Sequence, residues 1–304
     1  MIRFRRLTLR LLNDWLVNQP VPAPHPRYRL RVWRENRAGL AAILVELLAY
    51  VDEALEDARR RIRRGFGDAL SPFNDPANDP AANYPALLHR VTLQGYWGET
   101  LAILAVEHWG AHGHMDWAVP AFLFRVHVQE FQHLEAINER LLAGQPYDPD
   151  QEAEIRPGRT GDDGLAFRIN GANAITDILT LEAKCLAQHN NAKIDDAHAK
   201  LASAGSRPSG VSELINLLDE YNTLAAQIWQ QALLSFWRDG YRVATRYDGV
   251  AYACGQIPER PQGRVAWMPV DAPHPAYTIA RGLEGMEFQF EDMNTVVNTV
   301  FRGA

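Results

Sequence analysis

The stretch TGDDGLAFRINGANAITDILTLEAKCL, residues 160–186, decides the fold. Gly164–Ile169 reads as a short strand, Asn170-Gly171 as a strong hairpin turn signal, and Ala174–Lys184 as the second strand of the hairpin. Side chains along a strand alternate between faces. Leu179, Leu181 and Ala183 therefore share one face, which is apolar and suits a core. Ile178, Thr180, Glu182 and Lys184 share the other, which ends in a carboxylate and an ammonium two residues apart. An edge-strand ion pair is the plain reading of that ending. Three features point further. The strand is otherwise apolar on both faces, like a central strand, where a carboxylate is costly unless paired or metal-bound. Asp163 opens the partner strand, so a second carboxylate reaches the same strand ends. The chain carries 28 arginines but only three lysines, Lys184, Lys193 and Lys200, and it is a lysine that sits beside Glu182. A compact ammonium with a movable pKa does chemistry that a guanidinium does poorly.

Working outward, residues 33–66 read as a long helix, with Leu40, Ile43, Leu44, Leu47, Leu48, Val51 and Leu55 at helical spacing. The Pro-, Asn- and Asp-rich run SPFNDPANDPAANYP follows, and a domain boundary is expected near residues 70–85. A helix over 86–109, a strand Phe122–Val128 and a helix over 129–143 precede the hairpin. After it come a helix Gln188–Ala202, a loop Gly205–Gly210, a long helix Val211–Arg238 and short strands Tyr241–Arg246, Gly249–Cys254 and Arg264–Pro269. The order predicts a mixed α/β (α+β) body over 86–304 behind a helical N-terminal region, residues 1–85, with a regulatory or partner-binding role.

Composition narrows the chemistry. A 304-residue chain with 47% hydrophobic and 22% charged residues builds a full core. Two cysteines, Cys185 and Cys254, make no disulfide framework and suit a reducing cytoplasm. No lysine follows a GxxxxG run, none of the six serines lies in GxSxG, and neither HExxH nor GxGxxG occurs, which argues against P-loop ATPases, α/β-hydrolases, zincins and dinucleotide-binding enzymes. The most apolar stretch, Leu40–Val51, carries Glu46 and is too short to span a bilayer. Arg10 interrupts the basic N-terminus, so no signal peptide is expected. The expectation is a cytoplasmic protein without membrane contact. Charge is lopsided: residues 1–66 hold 14 arginines and 7 acids, while the remainder carries a net −13. The basic arm suits phosphates or an acidic partner. Equally, Arg59–Arg64 suit the solvated end of a helix.

Asp163, the hairpin, Glu182-Ala183-Lys184 and a following helix together resemble the PD-(D/E)xK nuclease superfamily. Upstream, Gly95-Tyr96-Trp97-Gly98-Glu99 gives a helix with a GxxGE motif, and Gly161-Asp162-Asp163-Gly164 gives a GxDG-like turn. In this order the motifs look like the effector nucleases of bacterial anti-phage systems of the Lamassu and Hachiman type, over about residues 86–205. The usual Pro before the aspartate is missing, and the aspartate is either Asp163 or Asp162. Asp177, at an odd spacing from Glu182, ranks last.

The resemblance implies a restriction-endonuclease-like core, a central mixed sheet flanked by helices, that hydrolyses DNA phosphodiester bonds in line and leaves a 5′-phosphate. Asp163, Glu182 and the carbonyl of Ala183 are hard oxygen ligands for Mg²⁺ or Mn²⁺, with Glu99 completing the shell or holding a second ion. Lys184 would orient the attacking water or stabilise developing charge. On the next helix, His189, Lys193, Asp196 and Lys200 form one stripe. With Gln188, they are the candidate DNA contacts, against the alternative of a solvated helix face. An acidic body binds DNA poorly unaided. Activation by partner subunits, such as an SMC-like ATPase or helicase, or by homo-oligomerisation is therefore expected. Two other functions stay open: a catalytically silent scaffold, and a free-standing restriction endonuclease.

Other signals rank lower. His108, His112, His114 and Asp116 are metal-ligand types, but Gly110 and Gly113 break the helix that would align them. Trp97, Trp109, Trp229 and Trp237 are expected at helix interfaces. Cys185 should face the core, and Arg242 and Arg246 should lie on a surface strand.

Overall fold

A computed structural model of the chain describes residues 7–21, 25–65, 79, 81–124, 128–151, 162–258, 264 and 267–303. The strands are β1 (Leu16–Gln19), β2 (Tyr28–Glu35), β3 (Gly164–Ile169), β4 (Ile175–Leu186), β5 (Thr245–Cys254) and β6 (Leu283–Gln289). They form one mixed sheet in the order β1-β2-β6-β5-β4-β3. The four inner strands β2, β6, β5 and β4 are parallel, and β1 and β3 close the two edges antiparallel. The helices are α1 (Leu9–Trp15), α2 (Arg37–Gly65), α3 (Arg90–Trp109), α4 (Val128–Leu142), α5 (Asn191–Ser203), α6 (Gly210–Asp219), α7 (Leu224–Arg238) and α8 (Met293–Arg302). No described helix is long and apolar enough to cross a membrane.

The alternation read from β4 sorts the layers. Leu179, Leu181 and Cys185 join the large core that also holds residues of α1, α2, α3 and α8. Ile178 packs with α6 and α7 in a second core. On the same side, α5 covers Val250, Tyr252 and Cys254 of β5 in a third. Helix α3 is buried on nearly every side from Leu93 to His108, as expected of a helix apolar all round. Gly98 sets its approach to the sheet: a Cβ there would stand 3.0 Å from the Cys185 Cβ. The tryptophans fill interfaces: Trp97 lies against Trp15, Phe290 and Phe301, Trp109 against Trp33, and Trp229 against Phe167.

The hairpin turn falls at the expected place: Asn170 begins the loop between β3 and β4, its carboxamide accepting the Ala172 and Ala174 N–H groups, and Asn173 takes the left-handed conformation at φ 59°. Several other expectations change. The expected helix Val211–Arg238 breaks after α6, because Thr223 caps a new helix by accepting the Ala226 N–H. The two expected strands Tyr241–Arg246 and Gly249–Cys254 are one strand, β5, that begins only at Thr245, after a short 3₁₀ turn at Gly240–Arg242 and a bend at Val243 and Ala244. Phe122–Phe124 is irregular, residues 125–127 lie outside the described set, and Val128 already starts α4. The described residues of 264–269 form no strand.

The largest correction concerns the expected helical N-terminal extension. Residues before 85 supply α1 and α2 but also β1 and β2, and β2 pairs along its length with β6 in the central sheet. The basic arm is correspondingly engaged. Arg29 and Arg31 meet the fully buried Glu284 of β6. Arg59, Arg60, Arg63 and Arg64 meet Asp52, Glu56, Asp79 and Glu220.

Helix α5 carries one buried ionisable group on its underside. His198 is fully buried, donates from Nδ1 to the Ile194 carbonyl at 2.7 Å and stacks on His274. Burial holds its pKa down at about 4. In the unfolded chain an imidazole takes a proton near 6.5, so between those values the unfolded state binds more protons. This group therefore subtracts stability as pH falls from 6.5 towards 4. Urea unfolding measured from pH 7 to 4 should show a shallower loss of stability for His198→Phe than for the wild type. An unchanged slope would assign the acid sensitivity elsewhere.

Candidate active site

Backbone pairing brings the acidic residues together. Gly164 lies opposite Leu181 in the β3–β4 ladder, and the Asp163 N–H extends that ladder by donating to the Leu181 carbonyl at 3.1 Å. The Asp163 carboxylate then accepts the Ala183 N–H through Oδ2 at 2.8 Å. This pins it beside Glu182, which projects from β4 on the face covered by α5. Lys184 Nζ donates to Glu182 Oε1 at 2.7 Å and lies 3.3 Å from Asp196 Oδ2 on α5. Lys200, in the last turn of α5, places its Nζ 2.5 Å from Glu182 Oε2 and 3.5 Å from Asp163 Oδ1. Two carboxylates and two ammonium groups, from the β3–β4 edge and from α5, thus form one cluster.

Glu182 is 1% exposed. Burial, and then the neighbouring Asp163 charge, push its carboxyl up to about 7 against the opposing pull of Lys184 and Lys200. Burial works against the charged form of Lys184, but Glu182, Asp163 and Asp196 outweigh it and raise the pKa. Buried carboxylates with shifted pKa values and specific charge partners in a cleft mark functional candidates. The cleft is present: about 220 Å³, lined by Glu182, Lys200, Asp162, Arg207 and Ser209 among others. The Arg207 guanidinium lies over the rings of Trp237 and Tyr241, 4.6 and 4.5 Å from their centroids.

The two aspartates of the turn have separate partners. Asp162 Oδ2 accepts the Gly210 N–H at 2.9 Å and the Ser209 hydroxyl at 3.2 Å. It caps the start of α6 from outside the helix, where Ser209 makes no side-chain cap of its own. Asp163 alone faces the lysines. Loss of a capping carboxylate costs about 1 kcal/mol, so Asp162→Ala should lower the thermal unfolding midpoint by a few degrees. A midpoint equal to that of the wild type would remove the capping role.

Of the other expected site residues, Ala183 lies between the clustered side chains as the backbone partner of Asp163. Glu99 is buried on α3, which packs on the opposite face of β4, against Cys185. Among the described residues, no group of three or more His, Cys, Asp or Glu side chains stands close enough to hold a metal ion, so Glu99 does not complete a carboxylate trio. Gln188 and Lys193 are exposed. His189 is turned inward instead, stacked 4.1 Å from the Trp267 ring and hydrogen-bonded to the Tyr252 hydroxyl. Lys200, expected on a DNA-facing stripe, points to the two carboxylates. Arg246, expected on the surface, is only 9% exposed and lies 3.4 Å from the buried Asp248. Arg242 is exposed and lies over Tyr241. Cys185 is buried and meets the Met293 sulfur at 3.4 Å.

The histidine run disperses. His108 bonds its own helix at the Leu104 carbonyl, His112 stacks on Tyr247, His114 sits edge-on to Trp117, and Asp116 pairs with Arg168. His112 borders a second, larger cleft of about 430 Å³ with Arg27, Arg29 and Glu284 at the N-terminal ends of β2 and β6. Size alone does not make it the better candidate, because its carboxylate is already satisfied by Arg29, Arg31 and the His112 N–H.

Sequence reasoning missed the inward role of Lys200 and the pairing of the exposed Asp196 with Lys184. The signal was available: the i, i+3, i+7 stripe Lys193, Asp196, Lys200 of α5 begins just after a strand that ends in a charged pair. In comparison with known proteins, the chain matches no family model and no curated protein.

Proposed function

We propose that the chain is a metal-dependent nuclease that hydrolyses DNA phosphodiester bonds on a restriction-endonuclease-like core of α3, β3, β4, α5 and β5. One observation carries this reading. Two of the three lysines in the chain converge on Glu182, and Glu182 shares the second of them with Asp163 at the mouth of a cleft. The donor chemistry fits a hard divalent cation. Asp163 Oδ1 and Glu182 Oε2 already face one shared cation, the Lys200 ammonium, and carboxylate oxygens suit Mg²⁺ or Mn²⁺. Such an ion, when bound, supplies a water of lowered pKa and neutralises phosphate charge.

The protein's own groups do the rest. The Ala183 N–H orients Asp163, and Glu182 with Asp196 holds the Lys184 ammonium beside the carboxylates, where it donates to developing negative charge. Arg207, fixed by two aromatic rings, offers a further cation to a phosphate backbone. Because the body is acidic outside its arginine-rich N-terminal part, productive DNA binding requires a partner subunit or a second copy. The chain then acts as the effector of a defence assembly. The test is nicking of supercoiled plasmid by purified protein with Mn²⁺, alongside isothermal titration of Mn²⁺. Binding that disappears in Asp163→Ala supports the reading, and metal-independent cleavage would contradict it.

A second reading has its own support. Lys200 occupies the place between the carboxylates, and the ammonium groups balance their charge, as in a silent nuclease-like scaffold. Absence of any divalent binding that depends on Asp163 and Glu182 would favour it.

A further inference from the structure

We propose that Lys200 is a built-in counter-ion that a divalent cation must displace from Asp163 and Glu182, so that metal entry is coupled to an outward swing of the Lys200 side chain into the cleft. This rests on the nuclease reading and adds the regulation of its metal site. Lys184 and Lys200 are not equivalent. Lys184 issues from the same strand as Glu182 and binds Oε1, and its second partner Asp196 lies on the solvent side of α5. Lys200 alone reaches both carboxylates, taking Oε2 of one and Oδ1 of the other. The two oxygens free of backbone and Lys184 bonds therefore converge on Lys200. A metal ion and this ammonium cannot share those oxygens, because like charges at such separation repel strongly in a partly buried cluster.

The ammonium has somewhere to go. Its side chain is 30% exposed, and it lines the cleft beside the segment from Ser203 to Ser209. The end of α5 itself stays anchored, with Leu201 buried in the core, the Arg281 guanidinium donating to its carbonyl at 3.0 Å and the Ser203 hydroxyl donating to the Lys200 carbonyl at 3.0 Å, so the group that moves is the Lys200 side chain. A ligand that draws Lys200 outward, such as a phosphate backbone in the cleft, therefore frees the carboxylates for the metal. Metal and polyanion bind with positive coupling by reciprocity of linkage. In the resting protein the site neutralises itself and holds metal weakly.

Only three lysines are present, so each can be followed separately by mass spectrometry after reductive methylation of the full chain. Labelling of Lys200 should be slow relative to the exposed Lys193 and should rise severalfold when Mg²⁺ is added at millimolar concentration. Isothermal titration of Mn²⁺ should show about tenfold or greater tightening in Lys200→Met, and Lys200→Gln should repeat the effect if the first variant is poorly folded. Metal binding of equal strength in the wild type and both variants, or Lys200 labelling unmoved by Mg²⁺, overturns the displacement while leaving the nuclease reading in place. Metal binding in none of the proteins overturns both.

Discussion

Glu182→Gln is expected to lower Mn²⁺-dependent plasmid nicking by about 10³-fold or more and to abolish calorimetric Mn²⁺ binding, with the fold retained by circular dichroism. The substitution keeps size and shape at a side chain that is 1% exposed. It also keeps an oxygen that accepts from Lys184 Nζ, now 2.7 Å from Oε1. What it removes is the charge that, with Asp163, makes the pocket attractive to a hard cation. Stability should change little. A neutral amide escapes the desolvation that raises the pKa of Glu182 to about 7, and both lysines, at 20% and 30% exposure, can turn towards water. Lys184→Met, by contrast, should keep metal binding while losing cleavage, since Lys184 binds Glu182 Oε1 and leaves the oxygens nearest Lys200 untouched. Nicking by Glu182→Gln within tenfold of the wild type would place the chemistry elsewhere.

The hairpin that carries this site was legible because its pattern is local. Two apolar runs of period 2 around Asn170 specify β3 and β4, and alternation alone assigns Leu181 to the core and Glu182 to the opposite face. The turn was legible as well, at Asn170-Gly171 between strands ending at 169 and resuming near 174. Its internal geometry was not: the left-handed position falls on Asn173, and the Asn170 carboxamide accepts the Ala172 and Ala174 N–H groups, a choice that residue type alone does not decide.

The inner strands β2 and β6 were not read from the sequence because their charges look like surface. Arg29 and Arg31 alternate with Leu30 and Val32 in β2, and Glu284 and Glu287 interrupt β6. Glu284 is answered from afar by Arg29 and Arg31, whereas Glu287 is answered by Arg264, 23 residues away, and by the Gln289 amide of its own strand. Pairs separated by some 250 residues of sequence leave no local signature, and a buried charge is tolerated only when such a partner arrives. The same logic explains the lopsided charge: part of the basic arm neutralises a strand from the other end of the chain. Lys200 was harder still, because helical spacing fixes which residues share a stripe but not which way the stripe faces.

The supports behind the site predict the largest loss of stability. Asp248, fully buried on β5, lies two residues along the strand from Val250, the register partner of Glu182. It accepts from Arg281 Nε and from the Tyr277 hydroxyl, each at 2.7 Å, and stands 3.4 Å from Arg246 Nε. Arg281 continues to the Leu201 carbonyl, and Arg246 to the Gly205 carbonyl. One carboxylate therefore anchors two guanidinium groups that grip the end of α5 and the segment lining the cleft. Asp248→Ala leaves the buried Tyr277 hydroxyl without its acceptor and the largely buried Arg246, at 9% exposure, without its counter-charge, which costs about 3–5 kcal/mol. Chemical denaturation should show that drop, while Asp248→Asn keeps the Tyr277 and Arg281 hydrogen bonds and should lose less. Since Lys200 sits one residue before Leu201, loosening this anchor should also speed Lys200 methylation in the absence of metal. A destabilised Asp248→Ala protein with Lys200 as protected as in the wild type would show that the buried arginine network holds the sheet alone and exerts no hold on the site.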